Sequence, residues 1–203
     1  DVVYNHVYTV VDHYFNQTAP GSSFRYDANG YRTSGSGYGN DVASERAMAC
    51  QSIVDSVRYW ATEFNVDGFR FDLMGLIDQP TMDQVCAELD AIDPSLIVVG
   101  EGWGTIDASG NLETAQPGAS NVEGAAVFDD SLSDAIKGSV FSDEDTGFVA
   151  GMVEKDTLIV TDVFGCDNRR EGIDETGRCD SGTANTNYGG ADQVVQYVEI
   201  HDN

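Results

Sequence analysis

The strongest constraint in this sequence comes from four short apolar segments, each of which ends abruptly in acidic, histidine or arginine side chains. They are DVVYNH at residues 1–6, GFRFD at 68–72, VVGEGW at 98–103 and VEIHDN at 198–203. Such runs are typical of buried strands in a parallel sheet, whose polar ends meet at one edge. Because segments with helical periodicity separate them, the sequence predicts βα units and an α/β fold.

The charge balance excludes two classes of partner. The 203 residues contain 35 acidic side chains and 10 Lys or Arg, a formal net charge of −25. This excess opposes binding to nucleic acid or to an anionic membrane, so we expect neither as a partner. The chain starts without Met inside an apolar run and stops within a polar motif, so we interpret it as an internal fragment and leave its localisation open.

The four cysteines give no sign of a zinc site, because they form no CxxC pair or His/Cys cluster. Cys50 and Cys86 lie on predicted helices and are expected to be small buried side chains. Cys166 and Cys179 flank a polar loop that a disulfide could close outside the cytoplasm, and the sequence leaves that pairing open.

Periodicity places these segments on a series of elements. A long Gly-, Ser- and Tyr-rich stretch within 7–40 is expected to be an ordered surface loop, since aromatic residues are interleaved with the glycines. A helix is predicted from Asp41, capped by Asn40 or Asp41, and a second is predicted to open on a capping box of Thr81 and Gln84. Further helices are predicted at 131–137 and 146–155, and strands at 1–4, 66–73, 96–100, 123–128 and 194–200.

The GFRFD segment carries the first candidate site. Residues two apart share a face of a strand, so Arg70 and Asp72 point one way while Phe69 and Phe71 point the other. A cation beside Asp72 favours its ionised form, which a carboxylate nucleophile requires. Asp1 is a plausible structural partner of Arg70. The alternative for the Arg70–Asp72 pair is a satisfied buried salt bridge.

Glu101 differs from Asp72 in its surroundings, because it follows a continuously apolar run and precedes Gly102 and Trp103. We expect this apolar setting to keep its proton in place. One ionised and one protonated carboxyl group together satisfy the requirement for glycoside cleavage. The glycines beside Glu101 fit either the close approach of a ligand or a tight turn.

Three further polar residues end the first and last segments. His6 and His201 could hydrogen-bond sugar hydroxyls, while Asp202 could grip a diol and stabilise positive charge developing on the sugar. A lone histidine is more often a satisfied core or surface residue. The recurrence of such residues at the ends of four segments favours a common site.

On these residues the chain resembles the α-amylase superfamily of glycoside hydrolases, and within it the type I pullulanases, which cut α-1,6 branches. The similar segments, in chain order, are YNHV at 4–7, GNDVASER at 39–46, VDGFRFDLMG at 66–75, GEGW at 100–103, LSDAIKGSVF at 132–141 and YVEIHDN at 197–203. The similarity weakens through 165–190.

The resemblance implies a partial (β/α)₈ TIM barrel comprising about strands three to seven, with a loop insertion at 7–40 over the active-site face. It also implies a retaining, double-displacement mechanism. The implied roles are Asp72 as nucleophile, Glu101 as general acid/base, Asp202 as transition-state stabiliser, Arg70 as the residue that orients Asp72, His6 and His201 as sugar ligands, and Trp103 as a stacking face. A fragment that lacks the remaining strands is expected to be unstable and inactive alone.

The resemblance requires no cofactor. Gly75 and Leu76 stand where many α-amylases have Lys-His, whose histidine helps to hold calcium, so that calcium site is in doubt here. Asn5 remains a candidate calcium ligand, and its alternative role is hydrogen bonding at the strand end.

Three functions are compatible with these residues. The first is debranching of pullulan, amylopectin or limit dextrins, with an α-glucan as the partner. The second is an α-1,4-acting amylase, cyclodextrinase or transglycosylase of the same superfamily, which would use the same three acids. The third is a non-catalytic carbohydrate-binding module, which the presence of Asp72, Glu101 and Asp202 disfavours.

Overall fold

The computed structural model describes residues 1–102, 122–140, 142, 144–163 and 193–201. The chain divides into two compact units, Asp1–Ala125 and Ala126–Asn203. Within the described ranges, no helix combines the length and apolar character needed to cross a membrane. The two units are described in turn.

The described residues of the first unit form four strands and three helices. In chain order they are β1 (His6–Val7), α1 (Tyr14–Thr18), β2 (Asn40–Asp41), α2 (Ala47–Phe64), β3 (Gly68–Phe71), α3 (Gln79–Ile92) and β4 (Ile97–Gly100), with a 3₁₀ turn at Met74–Leu76 between β3 and α3. β3 and β4 pair in parallel, from Gly68 opposite Ile97 to Phe71 opposite Gly100. Helix α2 packs against α3.

The segment before β1 runs alongside β3 and forms only a bridge there. Val2 lies in parallel opposite Phe71, and its N–H donates to the Arg70 carbonyl at 2.9 Å. The expected strand at 1–4 is therefore reduced to this bridge. It is nevertheless enough to bring the first residues of the chain to the end of β3.

Residues within 7–40 form an ordered loop with its own small core. Val10 and Phe24 pack with Val42 and Ala49 in one buried cluster. The guanidinium of buried Arg25 donates to the Leu76 carbonyl at 3.0 Å. This bond ties the loop to the chain that follows β3.

Helix α2 begins later than the sequence predicts. Its N-cap is Arg46 rather than Asn40 or Asp41, which instead form β2 and pair with β1. The buried carboxylate of Asp41 accepts the Gly35 N–H at 2.8 and 2.9 Å. Asp41 is a poor cap here because its oxygens are committed to the loop.

Helix α3 also begins on a different cap. The Asp78 carboxylate accepts the Thr81 N–H at 3.1 Å, and Pro80 occupies the first turn, where a missing N–H does not weaken the helix. The Thr81 hydroxyl donates to the Ser44 carbonyl at 3.0 Å, so the predicted capping box of Thr81 and Gln84 is wrong. The helix ends at Ile92, with Asp93 as its C-cap.

In the second unit, the part of the chain that the structure describes forms a parallel strand pair and two helices. These are β5 (Ala126–Asp129), α4 (Asp130–Lys137), α5 (Asp156–Val163) and β6 (Val194–Gln196). β5 and β6 pair from Val127 opposite Val194 to Asp129 opposite Gln196. The predicted end of α4 at Gly138 is confirmed.

The helix predicted at 146–155 is wrong. Two short 3₁₀ turns, Phe148–Ala150 and Val153–Lys155, precede α5 instead. Gly151 between them has φ +107, a left-handed conformation that interrupts a helix. Parallel strand pairs combined with helices confirm the α/β class, whereas the partial barrel remains a prediction.

Candidate active site

Strand β3 presents two chemically different faces, as predicted. Phe69 and Phe71 are buried in the core, whereas Arg70 and Asp72 lie partly exposed on the other side. Tyr4 packs its ring on Phe71 at a centroid distance of 5.8 Å, and burial raises the pKa of its hydroxyl. This packing fixes the chain immediately before Asn5 and His6.

Arg70 is the centre of the polar cluster. Its Nη1 donates to Asp72 Oδ1 at 3.1 Å and to Asp1 Oδ1 at 3.0 Å, and its Nη2 donates to Glu101 Oε1. The strand register explains the geometry, because Phe71 is paired with Gly100, so Asp72 and Glu101 follow equivalent positions on neighbouring strands. The two acids therefore share one guanidinium.

Glu101 lies in a more polar environment than the sequence suggests. Its side chain is 1% exposed, Oε1 accepts from Arg70, and Oε2 accepts the Leu73 N–H at 2.9 Å. Both oxygens therefore act as hydrogen-bond acceptors. The apolar run before Glu101 belongs to the strand, whereas its carboxyl group points at Arg70, and the protonated state expected from the sequence stays a prediction.

Asn5 connects His6 to Asp72. The buried Asn5 amide donates to the Asp72 backbone carbonyl and to Asp72 Oδ2, the latter at 3.2 Å. Its Oδ1 contacts Nδ1 of His6. These bonds match the alternative role of hydrogen bonding at the strand end.

The contacts of Asn5 bear on its candidacy as a calcium ligand. The amide oxygen of Asn5 is already engaged by the His6 ring. In the part of the chain that the structure describes, no three His, Cys, Asp or Glu side chains are grouped to hold a metal ion. Calcium coordination by Asn5 stays a prediction with no support from these contacts.

Sequence reasoning missed the turn that follows Asp72. Leu73 has a left-handed backbone conformation, with φ 40 and ψ 50, and the Gly75 N–H donates to the Glu101 carbonyl at 3.0 Å. A Cβ added at Gly100 would lie 2.6 Å from Cβ and Sδ of Met74. Gly100 thus makes room for a side chain of this turn, a role that a sequence pattern does not reveal.

The remaining predicted residues lie outside the described residues or in the second unit. Trp103 and Asp202, together with Cys166 and Cys179, lie outside the described residues. His201 belongs to the second unit, where it is exposed in a turn. The described cluster therefore joins Asp1, Asn5, His6, Arg70, Asp72 and Glu101.

Comparison with known proteins shows what this chain is similar to. No family model matches the chain. The pullulanase of Bacillus subtilis is 35% identical over 204 residues, which cover 100% of this chain and 27% of that protein. The chain is a pullulanase-like segment.

Solved structures agree with this assignment. The type I pullulanase of Bacillus subtilis in complex with maltose superposes with a TM-score of 0.84 at 34% identity, over 98% of this chain and 26% of that one. The pullulanase of an Anoxybacillus species in complex with maltotetraose gives 0.80 at 36% identity, over 99% of this chain and 27% of that one. The pullulanase-like segment therefore spans about a quarter of the length of these proteins, and the family resemblance seen in the sequence is confirmed.

Proposed function

We propose that the full-length protein carrying this segment is a retaining glycoside hydrolase that cleaves α-1,6-glucosidic branches in pullulan, amylopectin or limit dextrins. The observation that carries the proposal is the pairing of Asp72 and Glu101 through one guanidinium, in a chain that resembles pullulanases along its whole length. In this proposal the strands belong to a (β/α)₈ barrel, of which the segment contains about strands three to seven.

The first chemical step uses both acids. Glu101 donates a proton to the glycosidic oxygen while an oxygen of Asp72 attacks the anomeric carbon, so the bond to the leaving sugar breaks as the glycosyl–Asp72 ester forms. Asp202 would stabilise the positive charge that develops on the sugar. For this role the carboxyl groups of Asp72 and Glu101 are expected to lie about 5–5.5 Å apart.

The second step restores the enzyme. Glu101, now ionised, removes a proton from water, and the hydroxide formed attacks the anomeric carbon and releases Asp72. In this proposal Glu101, whose oxygens accept from Arg70 and the Leu73 N–H, carries a proton when substrate is bound. Arg70 donates to Asp72 Oδ1 at 3.1 Å and would orient this carboxyl group for attack.

The proposed ligand is an α-glucan chain. The two pullulanases compared above were crystallised with maltose and maltotetraose. His6, whose Nδ1 faces Asn5, would bind a sugar hydroxyl at the cleaved residue, and His201 would do so from the last segment. Trp103 would offer a stacking face on the leaving side.

Analysis of the products released from pullulan tests which glycosidic linkage the protein cleaves. The purified full-length protein is expected to release maltotriose, the product of α-1,6 cleavage. Release of panose would instead identify an α-1,4-acting enzyme, and binding to pullulan without any product would identify a carbohydrate-binding module.

Two substitutions test the roles of the acids. Asp72→Asn and Glu101→Gln in the full-length protein are each expected to reduce kcat by at least about 10³-fold on pullulan. Azide should restore turnover of an activated aryl glycoside to Glu101→Gln but not to Asp72→Asn, because only the former keeps the nucleophile. Asp1→Asn is the matched control, since Asp1 contacts the same guanidinium but is 56% exposed.

A further inference from the structure

The turn at 72–76 contains a backbone conformation that its sequence does not favour. Leu73 adopts φ 40 and ψ 50. Left-handed geometry is unfavourable for a residue with a side chain, and it persists only where the surrounding structure enforces it. Such positions cluster at functional sites, so the contacts that hold Leu73 in place identify what the turn is for.

Two contacts from this turn and one from the last residue of β3 hold Glu101, the residue that follows β4. The Leu73 N–H donates to Glu101 Oε2 at 2.9 Å, and the Gly75 N–H donates to the Glu101 carbonyl at 3.0 Å. The Glu101 N–H donates in turn to the Phe71 carbonyl at 3.1 Å. Residue 101 is therefore held at its side chain, its carbonyl and its amide by the chain immediately around Asp72.

Buried side chains also hold this turn in place. The side chain of Met74 is buried and lies against Gly100, where any Cβ would come within 2.6 Å of it. Leu76 and Ile77, which close the turn, are also buried. The left-handed residue thus lies between a packed core and the carboxyl group of Glu101.

We propose that Leu73 is a positioning residue, whose left-handed backbone aims its N–H at Glu101 and sets both the orientation and the proton affinity of that acid. The proposal rests on the proposed glycosidase function and adds a group to it. Arg70 donates to one oxygen of the Glu101 carboxyl group and the Leu73 N–H donates to the other, and donors on both oxygens restrict rotation of the carboxyl plane. The charged groups that face Glu101 in the described cluster are Arg70 and, beyond it, Asp72 and Asp1.

The N–H itself can be removed by replacing Leu73 with its α-hydroxy acid, which turns one amide into an ester in the full-length protein. We expect kcat on pullulan to fall roughly tenfold, because a hydrogen bond to a charged group is lost. The alkaline limb of the kcat/KM profile should move upward by about one pH unit, since the ionised form of Glu101 loses a donor. The loss should be much smaller on an aryl glycoside with a good leaving group, which needs little help from an acid.

The matched control is the same replacement at Ile77, whose N–H donates to the Met74 carbonyl at 2.9 Å in the same turn. This change should leave the alkaline limb and the leaving-group dependence unaltered. An alkaline limb that stays in place for the Leu73 ester, or an equal loss on both substrates, would overturn the proposal.

A side-chain series covers the case in which the ester does not fold. Leu73→Gly tolerates the left-handed conformation and Leu73→Ile opposes it, so the glycine variant should retain at least several-fold more activity than the isoleucine variant. The reverse order would refute the role of this conformation. If the unmodified protein cleaves no α-glucan at all, the proposed function itself fails, and that result is distinct from a Leu73 variant that behaves as the wild type.

Discussion

At the scale of single residues, Arg70 decides how the cluster is organised. One guanidinium contacts Asp1, Asp72 and Glu101, and its planar fork can serve several carboxylates at fixed angles. Without this cation, the negative charges of the carboxylates around it would repel one another. Under the proposed function, Arg70 would allow the nucleophile and the acid to share one site.

Replacing Arg70 with Lys should lower kcat/KM on pullulan by roughly 100-fold, because one ammonium group cannot fix the positions of the Asp72 and Glu101 carboxyl groups at the same time. The measurement is steady-state kinetics of the full-length variant. Arg58→Lys is a matched control: Arg58 pairs with Glu88 and Asp55 on the exposed face of α2 and should leave kinetics unchanged. Wild-type activity in Arg70→Lys would contradict the central role of this side chain.

Cys86 gives a prediction that does not depend on activity. Burial raises the pKa of its thiol from 9.0 to about 12, with smaller contributions from Asp83 and Asp90. Since the thiolate is the reactive form, Cys86 should resist iodoacetamide at about pH 8 in the native full-length protein and react once urea unfolds it. Peptide mass spectrometry measures both rates, and rapid native labelling would show that the thiol is not enclosed.

The raised pKa of Cys86 also makes the free energy of unfolding depend on pH. The folded state binds the Cys86 proton more tightly than the unfolded state, so this contribution to the free energy of unfolding is complete below about pH 9 and is lost as the pH rises towards 12. Urea unfolding of Cys86→Ala should therefore show a shallower decline across that window than the wild type. Parallel declines would contradict the assignment.

At the scale of elements, the turn after β3 and the last residue of β4 are complementary in shape. Gly100 leaves space for Met74, and Met74 anchors the turn whose N–H groups hold Glu101. Neither residue bears a group that could act on a sugar. Both nevertheless govern where the acid lies.

Gly100→Ala should reduce both stability and activity. The new Cβ would meet Met74 at 2.6 Å, and such overpacking costs about 1–3 kcal/mol in the free energy of unfolding and displaces the turn. Gly30→Ala is the control, because no atom lies within 4 Å of its Cβ position while φ is +83, so it should lower stability through strain and leave kcat unchanged. Urea unfolding and pullulan kinetics on both variants separate the two effects, and equal losses of kcat would contradict this account.

At the scale of the whole molecule, the segment is incomplete relative to the enzymes it resembles. It spans 27% of the Bacillus subtilis pullulanase. Helix α2 exposes Tyr59, Trp60 and Phe64, whose rings contact one another with centroids 4.6 to 5.7 Å apart. Contiguous exposed aromatic surface of this kind is unusual on an independent domain.

The isolated 203-residue chain is therefore expected to bind the hydrophobic dye ANS, to unfold without a cooperative transition and to leave pullulan intact. The full-length protein should show the opposite in all three measurements. If the isolated chain showed a sharp thermal transition and bound no more ANS than the full-length protein, these residues would be shown to fold alone.

Features that depend on residues close together in the chain could be predicted from the sequence. Alternation along 68–72 placed Phe69 and Phe71 in the core and Arg70 and Asp72 on the other face, and helical periodicity buried Cys50 and Cys86. The α/β class and the pullulanase resemblance also followed from local motifs in their order.

Features that depend on residues far apart in the chain could be seen only in the folded structure. The carboxylate of Asp41 turned out to serve a loop rather than a helix, and the Thr81 hydroxyl bonds a carbonyl from the chain before α2. Glu101 meets Arg70 and the Leu73 N–H because β3 and β4 pair in one register, and Leu73 takes a conformation that its own side chain disfavours. Propensity and periodicity describe a residue and its near neighbours, whereas these choices are set by atoms that only folding brings within hydrogen-bonding distance.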